Sequence, residues 1–298
     1  MSAADVGAPA VDGGRTRALR QMLRALNANK TSWVGIVTMV VVILVALLAP
    51  VLTSHDPLEQ NILDKLKGPS AEYVLGTDSY GRDIWARLVY GARISLWIGT
   101  VSIGIAMVIG SIIGMIAGYF GGKLDLVIMQ AMDVLLSFPS LILGLMVVAM
   151  LGPSIGNLIF AIALTAIPPF ARIARAPTVS VKERDYIEAC RALGYSHPRI
   201  LVVHILPNIF PEILVMGSLW LATAIRVEAS LSFIGLGVRP PTPTWGGMIR
   251  EGFENILDSA WLSIAPSIAI LIVVFALNMI GDGLRDVVDP KLKGERGG

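Results

Sequence analysis

Long apolar runs separated by short polar segments dominate the pattern of this chain. The first run, residues 33–53, carries no charged side chain. Five more runs follow, at about 94–118, 132–151, 156–173, 213–236 and 261–283. About 20 apolar residues in a helix cover the roughly 30 Å hydrocarbon core of a bilayer. The pattern therefore predicts an all-α integral membrane protein with six transmembrane helices.

Composition supports this fold class and argues against a nucleic-acid partner, a disulfide and a metal site. Hydrophobic residues make up 54% of the 298 residues and charged residues 15%, whereas charged residues make up roughly 25% of a soluble domain. A net charge of +2 gives no reason to expect a nucleic acid as partner. The single cysteine, Cys190, excludes an internal disulfide and a thiolate metal cluster. The three histidines lack the spacing of metal ligands, so we expect no metal site.

The first apolar run has one alternative interpretation, a cleaved signal peptide. The run is longer than a typical signal-peptide core and starts too far into the chain. We therefore expect it to be the first membrane helix, preceded by a basic arm that is helical from about 17 to 27.

The distribution of Lys and Arg predicts the orientation. With the N-terminus inside, the segments on the cytoplasmic side hold sixteen of these residues and the segments outside hold seven. The excess belongs in the cytoplasm by the positive-inside rule, and six spans return the C-terminus to the same side. This gives four regions: a cytoplasmic basic arm at 1–32, the first membrane helix and an extracytoplasmic connector at 33–93, a five-helix core at 94–283 with a cytoplasmic loop at 174–211, and a cytoplasmic tail at 284–298.

Glycines recur every fourth position in the second apolar run. Gly110, Gly114 and Gly118 share one helical face, and Gly122 continues the spacing. Such a stripe lets a second helix approach closely in a membrane, so we expect a packing role.

Two strings resemble catalytic motifs and are not interpreted as such. The string from Gly152 to Gly156 matches G-x-S-x-G, which needs a strand–turn–helix context and a nearby histidine; here it joins two membrane spans. The glycines before Lys123 resemble a phosphate-binding loop but lack its first glycine and its final hydroxyl. We therefore expect no catalytic residue and no nucleotide cofactor in this chain.

Arg226 and Glu228 lie inside the fifth apolar run. Charges at membrane depth are rare and usually face a bundle interior or a wet cavity. Two residues apart on a helix, they do not face each other. Two interpretations stay open: a functional one, a substrate path or gate, and a structural one, pairing with a neighbouring helix or subunit or snorkelling of Arg226 to the interface. A self-sufficient secondary transporter or channel using these charges is the alternative function, although we find no convincing inverted repeat of the kind such proteins commonly show.

The segment 181–207 predicts two short helices outside the membrane. Ile187, Cys190 and Leu193 recur at three-residue spacing between charges, as on an amphipathic helix. Gly194 ends this helix and Pro198 suits the first turn of the next. The product is a compact cytoplasmic projection whose apolar stripe is covered by the chain's own spans or by another protein.

This segment resembles the EAA loop of permease subunits from binding-protein-dependent ABC importers. The matching residues are Glu188, Ala189, Gly194, Leu206 and Pro207. Two positions depart mildly from the common form: Cys190 stands for an alanine and His204 where isoleucine is frequent. Further strings resemble the C-type permease of dipeptide, oligopeptide and nickel importers, over roughly residues 30–293: LGTDSYGRDIWARLVYGARISL (75–96), AGYFGGKLD (117–125), FIGLGVRPPTPTWGGM (233–248) and GDGLRDVVDP (281–290).

The resemblance implies a multi-subunit machine in a bacterial inner membrane. It implies a second related permease, two ATPase subunits that carry ATP and Mg²⁺, and an extracytoplasmic solute-binding protein. Glu188, Ala189, Gly194, Leu206 and Pro207 are then expected to dock on the ATPase. The chain would form half of a pathway for di- or oligopeptides, with nickel chelates or another small ligand as the alternative cargo. Possible pathway or gate residues are Arg226, Glu228 and Trp245, the last in a proline-rich outer loop.

Overall fold

The computed structural model describes the backbone of residues 30–288 and the side chains of residues 30–286. Within this range the chain is helical, with one isolated bridge between Thr77 and Asp83 as its only β pairing. The helices are α1 (Lys30–Leu47), α2 (Ala49–Leu52), α3 (Ile84–Phe120), α4 (Gly122–Leu136), α5 (Ser140–Leu151), α6 (Ile155–Lys182), α7 (Asp185–Ala192), α8 (His197–Arg199), α9 (Leu206–Phe233), α10 (Trp245–Glu254) and α11 (Trp261–Val288). A short 3₁₀ turn (Ile62–Asp64) lies in the connector and a π-helical turn (Ile200–Ile205) joins α8 to α9.

Six membrane crossings account for these helices. Five are continuous, long and apolar enough to span a bilayer: α1, α3, α6, the run from α8 through α9, and α11. The sixth is the pair α4–α5, whose two axes differ by 85°. The prediction of an all-α membrane protein is confirmed, and its six predicted spans correspond to five continuous helices and one bent pair. The predicted basic arm before Lys30, including the helix at 17–27, and the tail from residue 289 onward lie outside the described residues.

The second span starts earlier than its apolar run. Helix α3 begins at Ile84 rather than at residue 94, because Asp83 caps it and accepts the N–H groups of Trp85 and Ala86 at 3.1 and 3.2 Å. Counting apolar residues missed this first part of the helix because Arg87 and Arg93 interrupt the run.

The third span is broken, whereas the sequence predicted one helix over 132–151. Helix α4 ends at Leu136 and α5 begins at Ser140, after Pro139. A proline disfavours helical backbone in the residue before it, which is Phe138, so the helix cannot run through this point. Because of the break, the axis of α4 differs from the axis of α5 by 85°.

The cytoplasmic loop predicted at 174–211 is shorter in the structure. Helix α6 continues to Lys182, because Thr178 and Val181 are buried beyond the predicted end of the span. Helix α9 already begins at Leu206. The projecting segment is therefore residues 183–205, called the knob below.

The loop before the last span also contains a helix that the sequence did not predict. Helix α10 begins at Trp245 and follows Thr244, whose side chain accepts the N–H of Gly247 at 3.1 Å. The turn predicted at 238–248 therefore ends in a capped helix.

The core is built on the pair α3–α6. A Cβ added to Gly110, Gly114 or Gly118 would lie 2.6, 2.1 or 2.9 Å from a backbone oxygen of α6. No side chain fits at these distances, so the predicted packing role of the three glycines is confirmed. Gly122 does not continue the stripe, since a Cβ there would meet nothing within 4 Å.

Helix α3 connects two ends of the molecule. Its 37 residues extend about 55 Å at 1.5 Å per residue. At its first residue lie the connector and α10, residues 53–83 and 234–260, called the cap below. At its last turn Tyr119 contacts the knob. The cap and the knob are therefore at opposite ends of the membrane bundle.

Candidate coupling knob and transport path

Gly194 gives the knob its turn. Its φ of +75° lies in the left-handed region, which only glycine adopts freely. The N–H of Tyr195 bonds the carbonyl of Cys190 and the N–H of Gly194 bonds that of Arg191, both at 3.0 Å. This pair of bonds is a Schellman motif, which satisfies the last carbonyls of α7. The turn predicted at Gly194 is confirmed, as is Pro198 in the first turn of α8.

The knob rests on the membrane core through two of its three predicted apolar positions. Ile187 is fully buried and Cys190 is 9% exposed, both within the main apolar core. Leu193 was predicted on the same stripe but is 73% exposed, because it is the last residue before the glycine turn. The chain's own helices cover most of the stripe, and Leu193 is left at the surface.

The residues expected to dock on an ATPase lie on the outer side of the knob and at its base. Glu188, Ala189 and Gly194 are exposed. Leu206 is half-buried against the core and Pro207 is exposed at the start of α9. Helix α9 follows the π-helical turn, in which the N–H of Leu206 bonds the carbonyl of Leu201. Such wide turns are frequent at functional sites.

The end of α3 contacts both halves of the knob through Tyr119. Its hydroxyl is 2.9 Å from Nδ1 of His197 in α8. The guanidinium of Arg191 in α7 lies 5.2 Å from the centre of its ring. The knob therefore contacts α3 as well as the helices it joins.

Glu228 is buried at the junction of three helices. Its side chain is fully inaccessible, and Oε1 accepts the hydroxyl of Ser232 at 2.8 Å. Ser95 of α3 also faces it, and that serine accepts the N–H of Trp245 at 3.2 Å. Oε2 has no hydrogen-bond partner among the described residues. Glu228 thus joins α3, α9 and α10 beneath the cap.

Arg226 lies on the other side of the same helix. It is exposed and donates to the Thr223 hydroxyl at 3.1 Å. Thr223, Arg226 and Ser230 share one face of α9, at three- and four-residue spacing. A cation exposed at membrane depth avoids hydrocarbon, so this face suits a wet path or a second protein subunit.

Trp245, the third predicted pathway or gate residue, is buried at the start of α10. It is 2% exposed, and its indole N–H donates to the carbonyl of Leu88 at 3.0 Å. Gly91 lies beneath it, so its ring packs directly on the backbone of α3. Trp245 therefore fixes α10 on the core helix.

Four charged residues hold the cap on the membrane bundle. Asp78 and Glu251 face Arg82 and Arg87, and both arginines and Asp78 are almost inaccessible. Arg82 Nε is 2.6 Å from Asp78 Oδ2, and Arg82 and Arg87 each place Nη2 3.1 Å from Glu251 Oε2. Arg87 also pairs with Asp78. Two positive and two negative groups make this network, called the cap quartet, electrically neutral.

Two carboxyls near the quartet have shifted pKa values for opposite reasons. Burial raises the pKa of Asp83, although two backbone N–H groups bond it. Hydrogen bonds from Lys67 and Tyr73 lower the pKa of Asp64 in the connector. Asp83 is itself almost inaccessible, and Lys67 and Tyr73 both bond the Asp64 carboxylate.

Comparison with known proteins decides the family. Residues 110–294 match the family described as the binding-protein-dependent transport system inner membrane component. Residues 18–69 match the N-terminal transmembrane domain of oligopeptide transport permease C.

The chain belongs to this permease family. It is a multi-pass inner-membrane permease subunit of the ABC importer type.

Three relatives match this chain over most of its length. The chain is 43% identical to the dipeptide transport system permease protein DppC of Alkalihalophilus pseudofirmus, over 92% of this chain and 90% of the relative. It is 39% identical to the di/tripeptide transport system permease protein DppC of Pseudomonas aeruginosa, over 92% and 93%. It is 42% identical to the glutathione transport system permease protein GsiD of Pectobacterium atrosepticum, over 84% of each chain.

The fold of the permease recurs in solved structures. A chain of the inward-facing MetNI methionine ABC transporter superposes with a TM-score of 0.55 at 21% identity. The match covers 68% of the permease and 96% of that chain. At this identity the likeness concerns the fold.

Sequence reasoning missed the cap quartet of the permease. Asp78 and Arg82 are four positions apart in the turn before α3, and Arg87 follows five positions later in that helix. These closely spaced opposite charges just before a span were the available signal. Its fourth member, Glu251, lies 169 positions after Arg82 and carries no local signal of its own.

Proposed function

We propose that this permease is the C-type subunit of an ABC importer for short peptides and forms half of its translocation path. The observation that carries the coupling mechanism is the knob, which is exposed on one side and fixed to the core by Ile187 and Ile200 on the other. The names of the relatives support the peptide class, since the three aligned above are permeases for dipeptides, for di- and tripeptides, and for glutathione.

The knob transmits motion between an ATPase and the membrane helices. Glu188 and Ala189 contact the ATPase surface, and the turn at Gly194 holds their helix at the angle that permits docking. Leu206 and Pro207 carry the displacement into α9, while Tyr119 carries it into α3. ATP and Mg²⁺ are bound by the partner subunits, so this chain needs no cofactor of its own.

The proposed orientation places the knob and both termini in the cytoplasm and the cap outside. The Lys and Arg distribution supports it, because the segments on the knob side hold most of these residues. The cap then receives a solute-binding protein. A second related permease completes the path, and Arg226 lines it on the exposed face of α9.

Gentle purification of the chain from its native membrane, followed by mass spectrometry, tests this proposal. We expect one related permease and two ATPase copies or homologues in fixed stoichiometry. The reconstituted complex with its binding protein should accumulate radiolabelled dipeptides only when ATP is supplied. Recovery of the chain alone, with ATP-independent transport retained, would overturn the proposal in favour of a secondary transporter or channel.

A further inference from the structure

A cleft lined by charged and apolar side chains lies between α4 and α6 at the knob end of the bundle. Its volume is about 550 Å³, within the range of about 300–1,000 Å³ that small-molecule sites occupy. The cleft is open on one side and extends along α4 from Gly122 to Asp133.

Both signs of charge line the cleft. Arg172 Nη2 is 2.5 Å from Asp133 Oδ1, and the two side chains are 53% and 55% exposed. Deeper in the cleft, Arg175 binds both carboxylate oxygens of Asp125, each at 2.5 Å. Four charges cannot face hydrocarbon, so this cleft opens to water or to a neighbouring subunit.

An apolar wall lies beside these charges. Leu126 is exposed and Met129 is half-buried, and both line the cleft. The flexible thioether side chain of methionine adapts to ligands of different shape. The cleft thus combines a cation, an anion and a tolerant apolar surface within one small volume.

The side chains of helix α4 are accessible to a ligand. None of its side chains is buried. It lies between two glycines with positive φ, Gly121 and Gly122, and the 85° break that follows Leu136. Its contacts with α6 include the two ion pairs, and exposed ion pairs contribute only about 0–1 kcal/mol each. The two charged ends of a zwitterionic ligand can therefore separate the outer pair and bind one member each at small cost.

We propose that this cleft is a transient binding site for the charged termini of a short peptide on its way through the permease. Arg172 binds the C-terminal carboxylate and Asp133 binds the N-terminal ammonium group, while Leu126 and Met129 contact the side chains. The bidentate pair of Arg175 and Asp125 stays intact and fixes the floor of the site. The inference rests on the proposed function, because it names the residues that contact the proposed cargo.

Photo-crosslinking tests the site directly. The probe is radiolabelled alanyl-photoleucine, added to the native permease–ATPase complex in lipid nanodiscs without the solute-binding protein, whose own selectivity would mask that of the permease. We expect adducts on the α4 segment that contains Leu126 and Met129. Unlabelled Ala-Leu should compete, whereas its C-terminal amide and its N-acetyl form should compete poorly.

Variants that each remove one charge distinguish a peptide-binding role of the outer pair from a purely structural role. Arg172→Gln should lower labelling about tenfold, the loss expected for a charge-assisted hydrogen bond, and should let the amide compete as well as the free peptide. Asp133→Asn should do the same for the N-acetyl peptide. Lys123→Gln is the matched control, because it removes a cation from the same helix outside the cleft and should leave labelling unchanged.

The outcomes distinguish this inference from the proposed function. Adducts spread over the chain without enrichment on α4 would overturn the inference. Equal effects of Arg172→Gln on the free peptide and its amide would also overturn it, because they indicate a structural pair only. If the complete importer transports dipeptides but the cleft is unlabelled, only the site assignment fails. If the importer transports no dipeptide at all, the proposed function fails.

Discussion

The cap and the cleft use the same charged residue types in opposite ways. In the cap quartet, Asp78, Arg82 and Arg87 are almost inaccessible and each makes several contacts. In the cleft, Asp133 and Arg172 are each more than half exposed and meet through one short contact. Removing one member of a buried network strands its partners without water, whereas water replaces a lost partner at the surface. The cap charges are therefore fixed because they are buried. The cleft charges can exchange partners because they are exposed, although the residue types are the same.

The largest effect is expected at the cap. Asp78→Ala leaves two guanidinium groups facing each other in a buried site with one carboxylate between them. Breaking a buried ion pair in this way costs about 3–5 kcal/mol. We expect a marked loss of folded protein in the membrane and a lower melting temperature in detergent, measured by size-exclusion chromatography after heating. A melting curve like that of the unaltered permease would contradict the interpretation of the quartet as a fixed structural element.

The core pair that joins the two ends provides the second test. Gly114→Val places side-chain atoms against the backbone of α6, where even a Cβ would lie 2.1 Å from the Ala171 oxygen. Overpacking of this kind costs about 1–3 kcal/mol or more, and we expect reduced thermal stability together with loss of transport. Gly104→Ala is the control in the same helix, because a Cβ there meets nothing within 4 Å. Equal melting temperatures of the two variants would show that α3 and α6 do not need this close approach.

A substitution at Gly194 in the knob should abolish coupling while most of the protein's stability is kept. Gly194→Leu forces a side-chain-bearing residue to a φ of +75°, which costs roughly 1–2 kcal/mol, although a Cβ there meets no other atom. We expect normal membrane insertion, but ATP hydrolysis that no longer drives peptide uptake. Gly194→Asn should keep much of the activity, since asparagine tolerates this conformation. Normal uptake by Gly194→Leu would remove the turn from the coupling mechanism.

The smallest stability effect is expected in the cleft. Asp133→Ala removes one partner of the exposed pair and should change the free energy of unfolding by less than about 1 kcal/mol. Melting temperatures of this variant and of Asp78→Ala, measured side by side, compare the two ends directly. A loss at Asp133 as large as that at Asp78 would show that the cleft pair is structural and that the contrast between the ends is false.

The sequence by itself determined the class of protein, the six crossings, the close glycine contact and the turn of the knob. Each follows from a local signal: the length of an apolar run, glycine spacing on one face, or a glycine that ends a helix. These signals act over a few turns of chain, so no knowledge of the fold was needed to use them. They located the segments well but misplaced several ends, because capping by Asp83 and the break at Pro139 do not alter overall hydropathy.

Only the tertiary structure decided which charges are buried. Glu228 is enclosed while Arg226, two positions earlier, is exposed, and Leu193 leaves the stripe on which Ile187 is buried. Glu251 meets Arg82 across 169 positions, and Asp133 meets Arg172 across 39. Such pairs depend on how helices that are distant in sequence pack together. The strength of each pair depends on the water that this packing excludes, which residue order alone does not specify.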